Sequence, residues 1–399
     1  MWFARFGFIA ALFFTLPVRA ELPPVVIVGV LNDMNGPFAD QSGKGSVVAA
    51  ELAAEEFAAT DGGMHVRIIS ADHQNKADIG VTIARQWVDQ DGVAAVADAV
   101  NSSVSLAINQ VMAEKNRTFV ASNTGTSDLT GKFCKPTTVQ WTMDTYAVGS
   151  AAARAMMAKG GDTWFFISFD YALGAALERD STTVLTSLGG KVLGSVKHPL
   201  GTTDFSSYLL QAQSSGAKVV ALADTGADLI NAVKQAAEFG LPKAQTLIGL
   251  FTQITDVDSI GLQAAQGMVV TEAFYWGLND KTRAFSGRFG QRFNGRVPTA
   301  NQAGTYSSVL AYLRAVKAAG TIDGEAVVAQ MRKAPIQDDL FGTVIVRPDG
   351  RAVHDMYTFK VKAPGESTSR WDVYDLVTRI PGSEAFRPLD QGGCPLVAK

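Results

Sequence analysis

Apolar and amphipathic stretches follow each other along this chain in a two-beat rhythm. The continuous apolar run "VVIVGVL" (25–31) precedes "SVVAAELAAEEFAAT" (46–60), where Val48, Leu52 and Phe57 fall at helical spacing. The first has the make-up of a strand buried on both faces, and the second is built from good helix formers. The beat then repeats. Strands are predicted at 64–70, 93–98 and 118–122, and helices at 77–91 and 102–115, the last with serine at its start as a cap. Four such β-α units in a row predict a parallel sheet with helices on both faces.

The rhythm restarts after residue 140. Helices are predicted from "YAVGSAAARAMMAKG", "ALGAALERDSTTVLTSLGG", "FSSYLLQAQSSG" and "ADLINAVKQAAEFGL". Strands are predicted from "TWFFISF" (163–169), "KVLGSVKHPL", "KVVALAD" (218–224), "QTLIGL" and "QGMVVTEAFY". Helices at 280–294, 303–319 and 324–333 follow, then strand-like runs at 341–347, 354–362 and 371–378. "PGESTS" between the last two runs reads as a hairpin loop. The fold class is therefore α/β, with two doubly wound, Rossmann-like lobes. No long Gly/Ser linker separates them, so short crossings are expected to join them.

The chain has 399 residues and is 47% apolar, ample for two cores. Residues 1–20 carry Arg5, an apolar stretch from Phe6 to Leu16 and "VRA" ending at Ala20, the pattern of a secretory signal peptide. The apolar stretch is shorter than the roughly 20 residues a spanning helix needs. Its removal leaves 33 basic against 38 acidic side chains, a net charge of −5, which offers nothing to nucleic acid. The two cysteines, Cys134 and Cys394, both lie in loop-like contexts rather than in core-like ones. A lone exposed thiol does not persist in an oxidising compartment, so a Cys134–Cys394 disulfide is expected. The alternative is two unrelated thiols.

Catalytic patterns fail one after another. "NDMNGPFADQSGKGS" (32–46) follows a strand and opens a helix, as a phosphate loop would. But Gly36 lies seven residues before Gly43, and Lys44 is followed by Gly45 rather than Ser or Thr. His65, His73, His198 and His354 have no metal-ligand spacing, and there is no GxSxG elbow. Neither a cofactor nor a metal is expected. What remains is hydroxyl-rich sequence just after strands: "NSS" at 101–103, "SNTGTSDLTG" at 122–131, "FDYALG", "DTGADL" and "LFTQITD". The carboxyl ends of parallel strands are where open α/β sheets bind ligands. Hydroxyls and amides at a helix start form an uncharged anion site. Asn101, Ser102, Ser103, Thr124 and Thr126 are therefore candidate ligand residues.

"VGVLNDMNGPFADQSGKGSVVAAELAAEEF", "ADHQNKADIGVTIARQWVDQDGVAAVADAVNSSVSLAI" and "SNTGTSDLTG" occur in that order. Together they resemble the periplasmic branched-chain amino-acid binding family of ABC importers, the type I solute-binding proteins. The resemblance implies two lobes, three crossings and a ligand in the cleft between the lobes. It implies residues 21–142 with 277–338 as one lobe and 143–276 with 339–399 as the other. Hinges are expected near 142–145, 275–280 and 337–341. Ser102 and Ser103 match the place that holds the ligand carboxylate, Thr126 a threonine near the ligand head, and Tyr171 an aromatic from the second lobe. One feature departs from the family. Amino-acid binders carry an acidic residue in a PEG-like turn, facing the ligand ammonium, and here that stretch is "GLFTQ", with Phe251 or Thr252 at the place. A buried ammonium without its carboxylate is costly. Asp224 is the residue that could substitute.

Phe251, Tyr171, Tyr275, Trp276 and Phe38 would make a ring-bearing wall, as in the branch of the family associated with benzoate- and cinnamate-type acids. Phe38 and Gln41 are expected to touch the ligand, and Lys44 to be solvated. The implied function is non-enzymatic capture of a small carboxylate in the periplasm, with delivery to an inner-membrane ABC permease. Branched-chain amino-acid or amide binding, and a ligand sensor of the same fold, stay open beside it.

Overall fold

The computed structural model describes residues 22–397, so the expected signal peptide lies outside the described residues. The first sheet has five parallel strands in the order β2-β1-β3-β4-β5. They are β1 (Val25–Asn32), β2 (His65–Asp72), β3 (Val93–Asp98), β4 (Thr118–Ala121) and β5 (Thr138–Gln140). β3 is buried along its whole length and β1 at all but its first residue, as unbroken apolar runs require. Helices α1 (Gly43–Thr60), α2 (Ala77–Asp89) and α3 (Ser102–Glu114) connect the strands.

The chain then crosses over. α4 (Thr145–Met157), β6 (Thr163–Phe169), α5 (Ala172–Ser187), β7 (Lys191–His198), α6 (Ser206–Ser214), β8 (Val219–Ala223), α7 (Gly226–Glu238), β9 (Thr246–Gly249), α8 (Ile254–Ile260), α9 (Leu262–Ala265) and β10 (Val269–Glu272) build the second lobe. It returns through α10 (Asp280–Arg292), α11 (Ala300–Ala319) and α12 (Gly324–Met331), with α11 packed on α1. A small antiparallel sheet follows: β11 (Ile336–Asp338), β12 (Gly342–Val346) and β13 (Ala352–Val353). β14 (Met356–Val361) and β15 (Tyr374–Ile380) then add an antiparallel hairpin to the second sheet, and α13 (Gly382–Ala385) packs on α4. The second sheet runs β15-β14-β10-β9-β8-β6-β7.

Most predicted elements appear within a few residues of their expected ends. Three details differ. β5 has only three residues, too few to carry a pattern. α8 forms within the stretch read as a loop after β9. The small sheet joins the first lobe's edge, with Gln140 bridging Arg351 and its N–H donating to Gly350 O at 2.9 Å. Residues 342–353, which the resemblance assigns to the second lobe, therefore sit against the first. The third crossing falls at residues 354–355.

Cys134 and Cys394 form a disulfide with Cα atoms 5.6 Å apart. Both are buried, contrary to the exposed placement their loops suggest, because the C-terminal tail folds back onto the turn after β4. There Arg387 Nη2 donates to Ser127 O at 2.9 Å. The bridge closes a loop of 260 residues, so most of its effect is expected in the unfolded chain. Replacing both cysteines by serine should lower stability by about 2–5 kcal/mol. Thermal melts with and without reductant check this: both treatments should bring the midpoint down together, and an unchanged midpoint would show that the tail docks without the bridge.

Candidate functional site

The two lobes meet along the carboxyl ends of their parallel strands. On the first lobe, the turn after β3 is held by Asp98. Its buried carboxylate accepts from Asn32 Nδ2 (2.6 Å), Ser42 Oγ (3.0 Å) and Asn123 Nδ2 (2.5 Å). Burial raises its pKa, and these donors oppose the rise. Asp98 and Ala99 both take positive φ, +80° and +62°, a strained pair for non-glycine residues. The strained turn delivers Asn101 to the start of α3. The cap is Asn101 rather than the expected serine, its Oδ1 accepting from Ser103 N (3.0 Å) and Val104 N (3.1 Å).

Ser102 and Ser103 are thereby freed from capping. Ser102 is buried and its Oγ has no partner, whereas Ser103 is exposed. From the second lobe, the Tyr171 hydroxyl reaches across and donates to Asn101 Oδ1 at 2.8 Å. Burial raises the Tyr171 pKa, while the amides and hydroxyls of Ser102 and Ser103 pull it back down. The buried Ser102 hydroxyl at this helix start is thus a donor still without an acceptor, the kind of group a carboxylate oxygen would satisfy. Phe38 and Tyr171, with Asn101, line a mouth pocket of about 520 Å³.

At Gly125 the two lobes approach through apolar groups. A Cβ there would lie 2.7 Å from Leu173 Cδ1 and 3.2 Å from Phe251 Cζ. Further along the same seam, Gln41 Nε2 donates to Thr225 Oγ1 at 2.5 Å and lies 3.4 Å from Asp256 Oδ2. Gln41 therefore spans the cleft. Its loop is fixed from behind by Thr299, whose Oγ1 donates to Gln41 O at 2.7 Å. Asp33 anchors the loop's other end, accepting from Gly36 N (2.7 Å) and Phe38 N (2.9 Å). Lys44 is exposed, as expected.

The remaining sequence-derived residues divide. Thr124 turns its hydroxyl inward, to Ala99 O (3.2 Å) and Ser105 Oγ (2.8 Å). Thr126 caps the short turn at Ser127–Thr130, accepting from Asp128 N at 3.3 Å. Asp224 meets His198 Nε2 at 3.0 Å and accepts from Thr225 N at 2.9 Å, so its carboxylate is already taken. Tyr275 departs furthest. Its hydroxyl donates to Trp371 O at 3.0 Å and its ring packs on Tyr374 and Phe359 in the second lobe's core. Trp276 Nε1 shares that carbonyl at 2.7 Å. These aromatic rings join the core because the Trp371 carbonyl holds both polar tips and the Phe359 and Tyr374 rings receive the ring of Tyr275.

Sequence reasoning missed three side chains. Gln253 and Asn301 are fully buried, and the oxygen and nitrogen of each amide lack hydrogen-bond partners. Both are close in sequence to residues that make or brace the cross-lobe contacts. Gln253 sits between Phe251 and Asp256 on the second lobe. Asn301 lies one helical turn before Thr305, which contacts Ser122 at 2.9 Å, and between Thr299 and Gln302, which hold the Gln41 loop. The third is Asp256. Burial pushes its pKa up to about 7, against the hydrogen bonds from Gln253 N–H and Gln41. Nothing in "LFTQITD" distinguishes Gln253 and Asp256 from loop residues until α8 forms there, and Asn301 lies in the first turn of α11. Beside them, burial holds Glu272 well above the usual carboxylate range while Tyr374 donates to it at 2.7 Å.

The cross-cleft bonds should set how far the lobes close. Removing the Gln41 bridge with Gln41→Ala should cost on the order of 1 kcal/mol of closure, about fivefold in affinity. Small-angle scattering should show a larger radius of gyration for the variant, with its thermal midpoint nearly unchanged. An unchanged radius and affinity would mean that the Gln41 contact is incidental.

The sequence matches the model of the family described as "Periplasmic binding protein" over residues 25–367. A curated relative, "Leu/Ile/Val-binding protein homolog 6" of Brucella melitensis, is 27% identical over 65% of this chain. That match spans 66% of the relative's length, just under two thirds. Two solved Burkholderia proteins are much nearer. One, a periplasmic binding protein of B. mallei, has 41% identity and a TM-score of 0.89 over 94% of this chain and 99% of its own. The other, a branched-chain amino acid ABC transporter periplasmic ligand-binding protein of B. xenovorans, has 40% identity and a TM-score of 0.86 over 93% and 99%. A solute-binding protein of R. palustris, solved with benzoate, shares the fold at 18% identity and a TM-score of 0.80 over 93% and 99%. Two α/β lobes, their sheets facing a common cleft, and these matches together place the chain in the periplasmic binding protein family.

Proposed function

We propose that this protein is the extracytoplasmic receptor of an ABC importer that captures a small carboxylate, of the aromatic-acid class, between its lobes. It acts as a binder and not a catalyst, is exported by the segment 1–20, and hands its ligand to an inner-membrane permease. The observation that carries the reading is the start of α3. There the buried Ser102 hydroxyl lacks a partner, the Ser103 hydroxyl is exposed beside it, and Tyr171 arrives from the opposite lobe at 2.8 Å from the Asn101 cap. A carboxylate at that place is held by neutral donors and by the helix start, with no buried cation to neutralise it.

Phe38, Leu173 and Phe251 supply apolar walls, all three buried. Aromatic contacts of this kind add about 1 kcal/mol per ring beyond burial. The amides of Gln253 and Asn301 suit a second, uncharged polar group on the ligand, because each offers a donor and an acceptor. Closure is a rotation about residues 141–144, 273–279 and 354–355, the three crossings between the sheets.

One observation favours a second reading. Asp256 is a buried carboxylate at the inner end of the cleft, and it could face the ammonium of an amino acid where Phe251 and Thr252 cannot. The two readings differ in their response to pH. An ammonium is bound by ionised Asp256, so amino-acid affinity should rise as pH increases through about 7. An aromatic carboxylate gains nothing from that ionisation, so its affinity should stay level or fall over the same range.

A thermal-shift panel of benzoate- and cinnamate-type acids against leucine, valine and amides tests the ligand class. A ligand at 100 times its Kd should add about 2.7 kcal/mol of stability. Strong shifts with aromatic acids, weakened about tenfold in affinity by Phe251→Ala, are expected from the loss of one ring's burial and stacking. Strong shifts with leucine or valine alone, with affinity rising toward alkaline pH, would overturn the aromatic reading.

A further inference from the structure

The ligand cleft uses the carboxyl ends of the second sheet, and its amino ends form a different surface at the opposite pole. Five lysines gather along that edge. Lys159 precedes β6, Lys191 opens β7, Lys218 precedes β8, Lys243 precedes β9, and Lys360 of β14 pairs with Val269 at the start of β10. The sheet order β14-β10-β9-β8-β6-β7 makes these neighbours along one rim. At about 4.8 Å per strand, the row is about 24 Å long.

Lys159, Lys218, Lys243 and Lys360 all line one pocket of about 460 Å³, and none of the residues lining that pocket is acidic. Lys218 is partly spoken for, with Asp162 at 2.9 Å and Gly160 O at 3.0 Å. Among the described residues, no ion pair engages Lys159, Lys243 or Lys360, and all three are exposed. The matching pole of the first lobe differs: Lys115 pairs with Asp89, Arg85 with Glu114, Arg117 with Asp323 and Arg314 with Asp61. The full chain carries a net charge of −3, so the lysine rim is a local inversion of the background.

Like charges crowded around a concave surface repel each other unless a counter-anion offsets them, and the cost falls as salt rises. A single carboxylate cannot reach ammoniums spread over several strands, whereas an anion carrying several negative groups can. We infer that this lysine-lined pocket binds a multivalent, phosphate-type anion. The same chemistry is presented by a soluble polyphosphate and by the phosphates of an anionic lipid surface. The site is independent of the cleft ligand, because it lies at the other end of the strands.

The test uses the full mature chain and two probes. Sodium tripolyphosphate is titrated by calorimetry at about 20 mM and about 200 mM salt, where screening differs severalfold. Vesicles of phosphatidylglycerol, with phosphatidylcholine vesicles as reference, are tested by co-sedimentation. The variant Lys159→Ala/Lys243→Ala/Lys360→Ala is compared with Lys76→Ala/Lys234→Ala/Lys333→Ala, which removes equal charge from exposed positions elsewhere. Binding at low salt, weakened about tenfold or more in the rim variant and by high salt but little changed in the control, is expected. Binding of tripolyphosphate alone would identify a soluble polyanion. Binding of phosphatidylglycerol vesicles, with or without tripolyphosphate, would identify a lipid surface. Failure of both probes, or equal weakening in the two triple variants, would overturn the inference. Far-ultraviolet dichroism and the cleft-ligand affinity of the rim variant should match wild type, which separates loss of the site from loss of the fold.

Discussion

Asp98 is the constraint on which the first lobe's binding surface depends. A carboxylate buried without a cation is costly unless donors surround it, and here the donors come from three separate segments. Asn32 ends β1, Ser42 precedes α1, and Asn123 follows β4. Satisfying one charge therefore fixes the relative positions of three loops that lie far apart in sequence. The positive φ values at Asp98 and Ala99 are tolerated because that network over-determines the turn. Everything presented to the cleft by the start of α3 inherits its position from this arrangement.

The second lobe complements it with long side chains rather than with its own backbone. Tyr171 reaches the α3 cap, Phe251 and Leu173 rest on Gly125, and Asp256 approaches Gln41. Below these contacts Asp180 accepts from both Ser127 and Thr145 at 2.6 Å, beside the first crossing. The contacts between the lobes are thus of three kinds: hydroxyl at Tyr171, apolar at Gly125, and amide with acid at Gln41 and Asp256. A surface with few charges discriminates by shape and by hydrogen-bond pattern.

The sheet strands with unbroken apolar runs were legible, because burial on both faces leaves a signal that needs no context. The start of α3 was legible as a helix start, because polar residues after a strand mark a cap, although Asn101 rather than a serine fills it. The failures have physical causes. Tyr275 and Trp276 are aromatic residues after a strand, and sequence alone does not say whether such rings face a core or a cleft. Here Trp371, 96 residues on from Tyr275, decides it by offering its carbonyl to both. Asp224 resembles a free carboxylate until His198 is found beside it, 26 residues earlier. Gln253 and Asn301 were invisible because each owes its burial to a helix start, of α8 and of α11, that long-range packing positions and no local pattern marks. Placing β12 and β13 against β5 likewise rests on a bridge between positions 140 and 351.

The disulfide sets an order of events. Cys134 precedes every strand of the second sheet and Cys394 follows them all, so the bond cannot close while the second lobe is still being made. Through that interval Cys134 is a thiol without its mate. Once formed, the bond encloses every strand of the second sheet in one covalent loop, so that lobe is clasped by a link it does not itself contain. Reduction would free the tail from the turn after β4 without detaching a single strand from its sheet.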